Sequence, residues 1–295
     1  MDGLDGRVAI VTGAGRGLGR EHALLLAAEG ASVVVNDLGG AVDGSGADAS
    51  VAEEVAAEVR ARGGTAVASG HDVSDWGQAR AVVELAVEAF GSLRVLVNNA
   101  GNLRDRFLVN LAEDEWDDVV RAHLKGHVAP TRWAAAYWRE QARSGGAPGA
   151  AVVNTTSTSG LFGNPGQAAY GAAKGGIATL TLVAAAELGR YGVRVNAVAP
   201  LARTRLTEDT PGLAEAVRPP ADPSAFDAWH PANVSPVVAW LASDGCPVTG
   251  QVFVVHGASV RRLRPWVEEE TWDCGSRWTV GGLTEAMSGS SPAGG

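Results

Sequence analysis

Thiols are scarce in this sequence. Cys246 and Cys274 are its 2 cysteines, and they show no metal-ligand spacing. That argues against a disulfide scaffold and against a metal site, and it fits a reducing compartment with free thiols. Positive charge is short as well: 24 Lys and Arg stand against 33 Asp and Glu, a net charge of −9. A surface of that sign repels phosphate backbones and anionic lipid, so neither nucleic acid nor a membrane is an expected partner. Long apolar runs are missing. The richest stretch, around 178–186, is far shorter than a bilayer span requires. The acidic opening Met-Asp-Gly-Leu-Asp-Gly-Arg does not read as a secretory leader. No internal repeat is visible. Charge and thiol scarcity together make a soluble protein of the reducing cytoplasm the expectation.

At 295 residues the chain fits one large α/β domain or two small ones, with core enough to need no staple. Tryptophan is plentiful, and Trp229, Trp240, Trp266, Trp272 and Trp278 fall late, so the C-terminal part is expected to bury or present aromatic surface. Strand patterns at 8–11, 32–36, 65–69, 94–97, 151–154, 193–198 and 251–255 alternate with helical patterns. The helices are expected at 20–29, 51–62, 113–142 and 170–188, with another capped by Ser74 and running to Phe90. This order predicts a Rossmann-type α/β fold: a doubly wound, parallel, seven-stranded sheet with helices on both faces. Residues 1–257 read as a single dinucleotide-binding and catalytic domain, and 258–295 as a C-terminal extension. The Gly/Ser/Pro-rich tail from Gly281 is expected to be disordered. A Pro-, Asp- and Ala-rich segment at 207–236 reads as a flap.

Thr12-Gly13-Ala14-Gly15-Arg16-Gly17-Leu18-Gly19 sits between a strand and a helix. That context makes a glycine-rich string a dinucleotide loop rather than a plain turn. Gly13 permits the tight turn, Gly17 lets backbone approach a pyrophosphate, and Gly19 lets helix and strand pack closely. The helix N-terminus then favours the phosphates. Asp37 ends the second strand, at the distance where a carboxylate takes the adenosine ribose and repels a 2′-phosphate. Arg16 pulls the other way, since a cation there could pair with that phosphate. Asp37 is the stronger feature, and NAD is the expected cofactor. Asn98-Asn99-Ala100-Gly101 follows the fourth strand, where small residues and amides suit close approach to a cofactor; a simple turn explains the same composition.

Tyr170 and Lys174 share a helix face at i, i+4, and Ser157 lies just past the fifth strand. A phenol beside an ammonium has its phenolate favoured, which predicts a lowered Tyr170 pKa. Such a phenol can exchange a proton with an alcohol, and serine can steady the same oxygen. A lone Tyr-x-x-x-Lys is usually a solvated helix face; the combination carries the reading.

Together these motifs resemble the short-chain dehydrogenase/reductase family over roughly residues 4–257. The resemblance implies Tyr170 as acid/base, Lys174 as its partner and holder of the nicotinamide ribose, and Ser157 as donor to the substrate oxygen. It also implies Asp72 and Val73 at the adenine, Asn99 near the adenosine, and Pro200 to Thr204 near the nicotinamide. Homodimers or homotetramers built through the helices at 113–142 and 170–188 are implied as well. The segments 33–40, 102–106 and 160–167 are similar to a narrower branch. It comprises the (3R)-hydroxyacyl-CoA dehydrogenase domains of peroxisomal multifunctional enzymes and their actinobacterial single-domain relatives. Two positions depart from the wider family pattern. His123 stands where an asparagine usually supports a proton-relay water, and Leu201 follows Pro200 where glycine is usual. His123 could hold that water or titrate itself, and a purely structural histidine explains it equally well.

Arg104, Arg106, Arg203 and Arg205 could meet the phosphates of a CoA ester, although each is individually better read as ion-paired. Three functions stay open. One is oxidation of a hydroxyacyl-CoA or steroid-derived hydroxyacyl-CoA, and another is turnover of a free alcohol, ketone or hydroxysteroid. The third, a catalytically silent nucleotide-binding protein, is opposed by the intact Ser157, Tyr170 and Lys174.

Overall fold

A computed structural model of the chain describes residues 3–41, 45–102, 104–204, 215, 217–222 and 224–288. Arg205 and much of the expected flap lie outside them. Contacts divide the chain into two units, 1–263 and 264–295.

The first unit is built on a sheet of eight strands: β1 Val8–Thr12, β2 Ser32–Asn36, β3 Thr65–Ser69, β4 Val95–Asn98, β5 Ala150–Thr155, β6 Val193–Leu201, β7 Val252–His256 and β8 Ser259–Leu263. The strands are rich in valine and alanine, and β1, β4 and β5 are buried along their whole length, as strands covered on both faces must be. The order is β3-β2-β1-β4-β5-β6-β7-β8. The first seven strands run parallel, and β8 pairs antiparallel with β7. The seven parallel strands match the sequence expectation. The eighth, Ser-Val-Arg-Arg-Leu, was not foreseen, because an exposed edge strand carries charge instead of an apolar run.

The helices are α1 Gly17–Ala28, α2 Ser50–Ala61, α3 Trp76–Phe90, α4 Glu113–Val120, α5 Gly126–Arg143, α6 Thr158–Phe162, α7 Ala168–Leu188 and α8 Ser235–Ala242. One core lies on one face of the sheet, with Leu26, Val55 and Leu241 packed on Val11, Val33 and Val97. The other holds Val82, Trp138 and Leu188 against Ile10, Leu96 and Val152. Trp138 is fully buried, and its indole N–H donates to the Leu93 carbonyl at 2.7 Å.

The sequence expectations need four corrections. The helix expected at 113–142 is interrupted by a π turn, Arg121–Lys125, between α4 and α5. Asp75, not Ser74, caps α3: its carboxylate accepts from Gly77 and Gln78 N–H at 3.0 and 2.8 Å. Ser74 instead donates to Asp72. In the second unit, α9 Val280–Met287 occupies residues expected to be disordered, and Thr279 Oγ1 caps it by accepting from Gly282 N–H at 3.0 Å. Within the expected flap, a short turn at Pro231–Asn233 leads into α8. Both cysteines are free, Cys246 buried and Cys274 exposed.

Candidate active site

Strand order reverses between β1 and β4, so the carboxyl ends of these strands open a crevice. A cavity of about 290 Å³ occupies it. Gly13 turns out of β1 with φ +63°, and a side chain there would put its Cβ 2.8 Å from Ala100 Cα. Gly17, φ +52°, opens α1; a Cβ there would meet nothing closer than Thr204 Cγ2 at 3.6 Å, so this backbone faces open cavity. Gly19 differs. A Cβ there would run into the Gly13 carbonyl, which makes it a packing residue. Gly13, Arg16, Gly17 and Leu18 line the cavity; Gly19 does not.

Asp37, at the end of β2, also lines it. Its carboxylate accepts from Gly15 and Gly39 N–H, each at 2.7 Å, and so anchors the loop. Arg16 donates to the Gly40 carbonyl at 3.3 Å. Asp72 and Val73 follow β3 on the same wall. Asp72 accepts from Ser74 Oγ at 2.6 Å and from Arg121 at 3.3 Å. Asn99 stitches β4 to the loop: its backbone N–H donates to Thr12 Oγ1 at 3.0 Å, and its amide to the Thr12 and Gly13 carbonyls at 3.1 Å. Ala100, Gly101, Pro200 and Thr204 complete the wall. A helix N-terminus behind a side-chain-free stretch, with a carboxylate at the far wall, fits a nicotinamide dinucleotide.

Tyr170, Lys174 and His123 line the inner end of the cavity. Ser157 Oγ caps α6, accepting from Ser159 N–H at 3.2 Å, and its hydroxyl acts on the Tyr170 phenol in favour of the phenolate, although Ser157 does not itself line the cavity. Lys174 Nζ lies 5.6 Å from the centroid of the Tyr170 ring and donates to the Thr155 carbonyl at 2.7 Å. Burial pushes Lys174 down to about 7. Burial pushes Tyr170 up; the Ser157 bond offsets part of that rise, and the Asp105 charge adds to it. The expected lowering of Tyr170 is not found, because desolvation is the dominant influence on the phenol. His123 packs edge-on against Tyr170, with centroids 5.1 Å apart. Its Nε2 lies 2.6 Å from the Asn102 carbonyl and 3.2 Å from the Asn102 backbone nitrogen; the shorter contact, to an oxygen that can only accept, favours the Nε2–H tautomer. Burial, then the charge of Lys174, holds His123 down to about 3, so it is a neutral imidazole.

Some residues at this site had no assigned role in the sequence reading. Asp105 accepts from Gln167 Nε2 at 2.9 Å, and burial raises its pKa. Both residues sit inside the segments that carry the family likeness, which was the available signal. Arg121 donates to Ser74 Oγ at 2.8 Å and joins the wall; only its place in the π turn puts it there. Three of the four arginines considered for phosphate are ion-paired: Arg104 with Asp118 at 2.9 Å, Arg106 with Glu115 at 2.9 Å, and Arg203 with Asp227.

A glycine-lined crevice at the sheet reversal, with Tyr170 and Lys174 in its wall, is the setting of an oxidoreductase acting on CH–OH groups. The chain belongs to the short-chain dehydrogenases: the family model described as short chain dehydrogenase matches residues 7–211. It is 44% identical over 288 residues to hydroxyacyl-CoA dehydrogenase ChsB1 of Mycobacterium tuberculosis (strain ATCC 25618 / H37Rv), covering 96% of this chain and 88% of that protein. It is 43% identical over 246 residues to peroxisomal multifunctional enzyme type 2 of Drosophila melanogaster, covering 83% of this chain and 38% of that longer protein. A crystal structure of a short chain dehydrogenase from Mycobacterium avium superposes with a TM-score of 0.85 at 50% identity, over 97% of this chain and 94% of that one. Among the described residues, no helix is long and apolar enough to cross a membrane.

Proposed function

We propose that the chain is an NAD(H)-dependent dehydrogenase that oxidises the 3-hydroxyl of an acyl-CoA, or of a steroid-derived acyl-CoA, to a ketone. The observation that carries this reading is Tyr170 and Lys174 lining one cavity with the glycine loop, the lysine Nζ 5.6 Å from the tyrosine ring centroid and Ser157 acting on the same phenol. A bound nicotinamide would supply the acceptor for the hydride leaving the carbinol carbon. Tyr170 exchanges the proton of the substrate hydroxyl. Ser157 donates to the same oxygen and steadies charge developing there. Lys174, tied to Thr155, offsets the cost of forming a phenolate in a buried site. Gly13, Gly17 and the N-terminus of α1 would hold the pyrophosphate, and Asp37 the adenosine ribose, which favours NAD over its 2′-phosphorylated form.

The acyl assignment draws on the relatives named as acting on hydroxyacyl-CoA or as peroxisomal multifunctional enzymes. Exposed aromatics support it. Phe107 and Phe162 are 64% and 71% exposed, and an Arg106–Gln167 bridge joins the segments that carry them, three residues before Tyr170. Exposed aromatics of this kind suit an acyl chain or a ring system. A second reading, a free alcohol or hydroxysteroid, is favoured by the ion pairing of Arg104, Arg106 and Arg203, which commits these cations to protein carboxylates.

NADH formation with a panel of 3-hydroxyacyl-CoA esters, free alcohols and hydroxysteroids tests both. Turnover confined to CoA esters supports the first reading. Turnover with free alcohols alone discards it and keeps the chemistry. A clear preference for NADP would overturn the role given to Asp37.

A further inference from the structure

Arg121 opens the π turn and lines the nucleotide cavity together with Asp72, Val73 and Ser74. Its guanidinium donates to Ser74 Oγ at 2.8 Å and to Asp72 Oδ2 at 3.3 Å. On its other side it faces Asp118 Oδ1 at 3.6 Å, and Asp118 pairs in turn with Arg104 at 2.9 Å. Arg104, Asp118, Arg121 and Asp72 therefore form a row of alternating charge that ends on the cavity wall after β3.

Asp72 is tied within its own turn as well. Its N–H donates to Gln78 Oε1 at 3.0 Å, and its carbonyl accepts from Asp75 N–H at 3.0 Å. Oδ1 accepts from both the N–H and the hydroxyl of Ser74, at 2.8 and 2.6 Å. A carboxylate oxygen has room for about two donors, so Oδ1 is full. Among the described residues, Oδ2 takes one bond, the longer one from Arg121. Acceptor capacity is left on that oxygen, in a residue that lines the cavity. The ties from Gln78, Asp75 and Ser74 are local, whereas Arg121 reaches Asp72 from 49 residues away. It is the tie that fixes which way Oδ2 points.

An open acceptor discriminates between bases. Adenine carries an amino group that donates, and hypoxanthine carries an oxo group that only accepts at the same place. A carboxylate opposite an oxo group sets two acceptors together with no proton between them. The discrimination depends on holding the carboxylate still, because a rotated one can turn away from the oxo group.

We infer that Arg121 is a positioning residue for the nucleotide: it locks the Asp72 carboxylate so that one open acceptor meets the base, which selects an amino-purine dinucleotide over an oxo-purine one. Arg121 acts through Asp72 and need not touch the base. The inference rests on the nucleotide reading of the cavity, but not on which alcohol is oxidised.

The test needs no turnover. NADH and its hypoxanthine analogue are titrated into the full chain, and affinity is read from the change in tryptophan fluorescence. A charge-assisted hydrogen bond on one side and an unpaired acceptor on the other should favour NADH by about tenfold or more. Arg121→Met keeps the apolar stem and removes every donor. It should cut the preference to about threefold or less, chiefly by weakening NADH. Arg121→Lys retains a cationic donor and should keep most of the preference. In an Asp72→Asn background, Arg121→Met should change the ratio no further. Ion pairs as exposed as these contribute little to folding, so the variants should stay folded.

An undiminished ratio in Arg121→Met overturns the inference and leaves the nucleotide reading intact. An equal loss of both nucleotides does the same, since Arg121 would then be a general cation for phosphate. Equal affinity for the two in the unsubstituted chain also rejects it. Binding of neither would bring down the nucleotide reading of the cavity, and the inference with it.

Discussion

Tyr170 and Lys174 stand one helical turn apart, and burial acts on them in opposite senses, raising the phenol and lowering the ammonium. Both shifts favour the neutral forms. The site therefore works only if neighbours restore charge at the moment of proton exchange, which is the part given to Ser157 and the Thr155 carbonyl. Tyr170→Phe removes the exchangeable proton and little volume. Turnover should fall about 10²–10⁴-fold while nucleotide affinity changes by less than about threefold, read by single-turnover kinetics and titration. Retained turnover would remove Tyr170 from the mechanism. These residues were legible in the sequence because their spacing is set by one helix and one strand end. The direction of the Tyr170 shift was not, because desolvation depends on what closes over the ring.

The element least visible beforehand is the π turn at Arg121–Lys125. Apolar periodicity continues through it, so the sequence reads as one helix, and only the observed break turns His123 toward Tyr170 and Arg121 toward Asp72. Gly101 is the counterpart on the other side of the cavity. A Cβ there would overlap the His123 ring. Gly101→Ala should displace that ring from Tyr170, cost about 1–3 kcal/mol of stability, and lower kcat more than it raises KM. Normal stability and kcat in this variant would mean that the ring position does not matter. The short α6 was likewise hidden, since five residues carry no readable period, although Ser157 as its cap is a recognisable start.

At the scale of the sheet, β8 closes the edge of β7 through five paired residues, Val252 with Leu263 at one end and His256 with Ser259 at the other. Arg261 and Arg262 are exposed on opposite faces of this edge strand, where charge discourages further pairing. A chain ending at residue 257 should melt at lower temperature and aggregate more than one ending at residue 263. Equal behaviour would make β8 dispensable.

The balance of buried bases shapes the whole molecule's response to pH. His22 is fully enclosed between α1 and α8, with Nδ1 2.8 Å from Ser235 Oγ, and burial holds it down to about 3. His123 is held equally low, and His127 lies well below 6.5. The unfolded chain keeps ordinary imidazoles and so binds more protons than the fold as pH drops below about 6.5. Stability is therefore lost in that window, at about 1.4 kcal/mol per pH unit for each histidine and roughly three times that for all of them. Lys174 acts the same way higher up, since its folded value near 7 lies below the 10.5 of the free side chain. Asp227, held low mainly by Arg203, adds to the loss at the acid end. With a total stability of about 5–15 kcal/mol to draw on, the fold should be most stable on the alkaline side of neutrality and should unfold by about pH 4. His22 lies away from the nucleotide cavity, so His22→Gln isolates the effect. Denaturant unfolding across pH 4–7 should lose about one proton's worth of slope in that variant while turnover at pH 8 is unchanged. An unaltered slope would mean that His22 already carries a proton inside the fold, and the acid sensitivity would then have to come from His123 and His127.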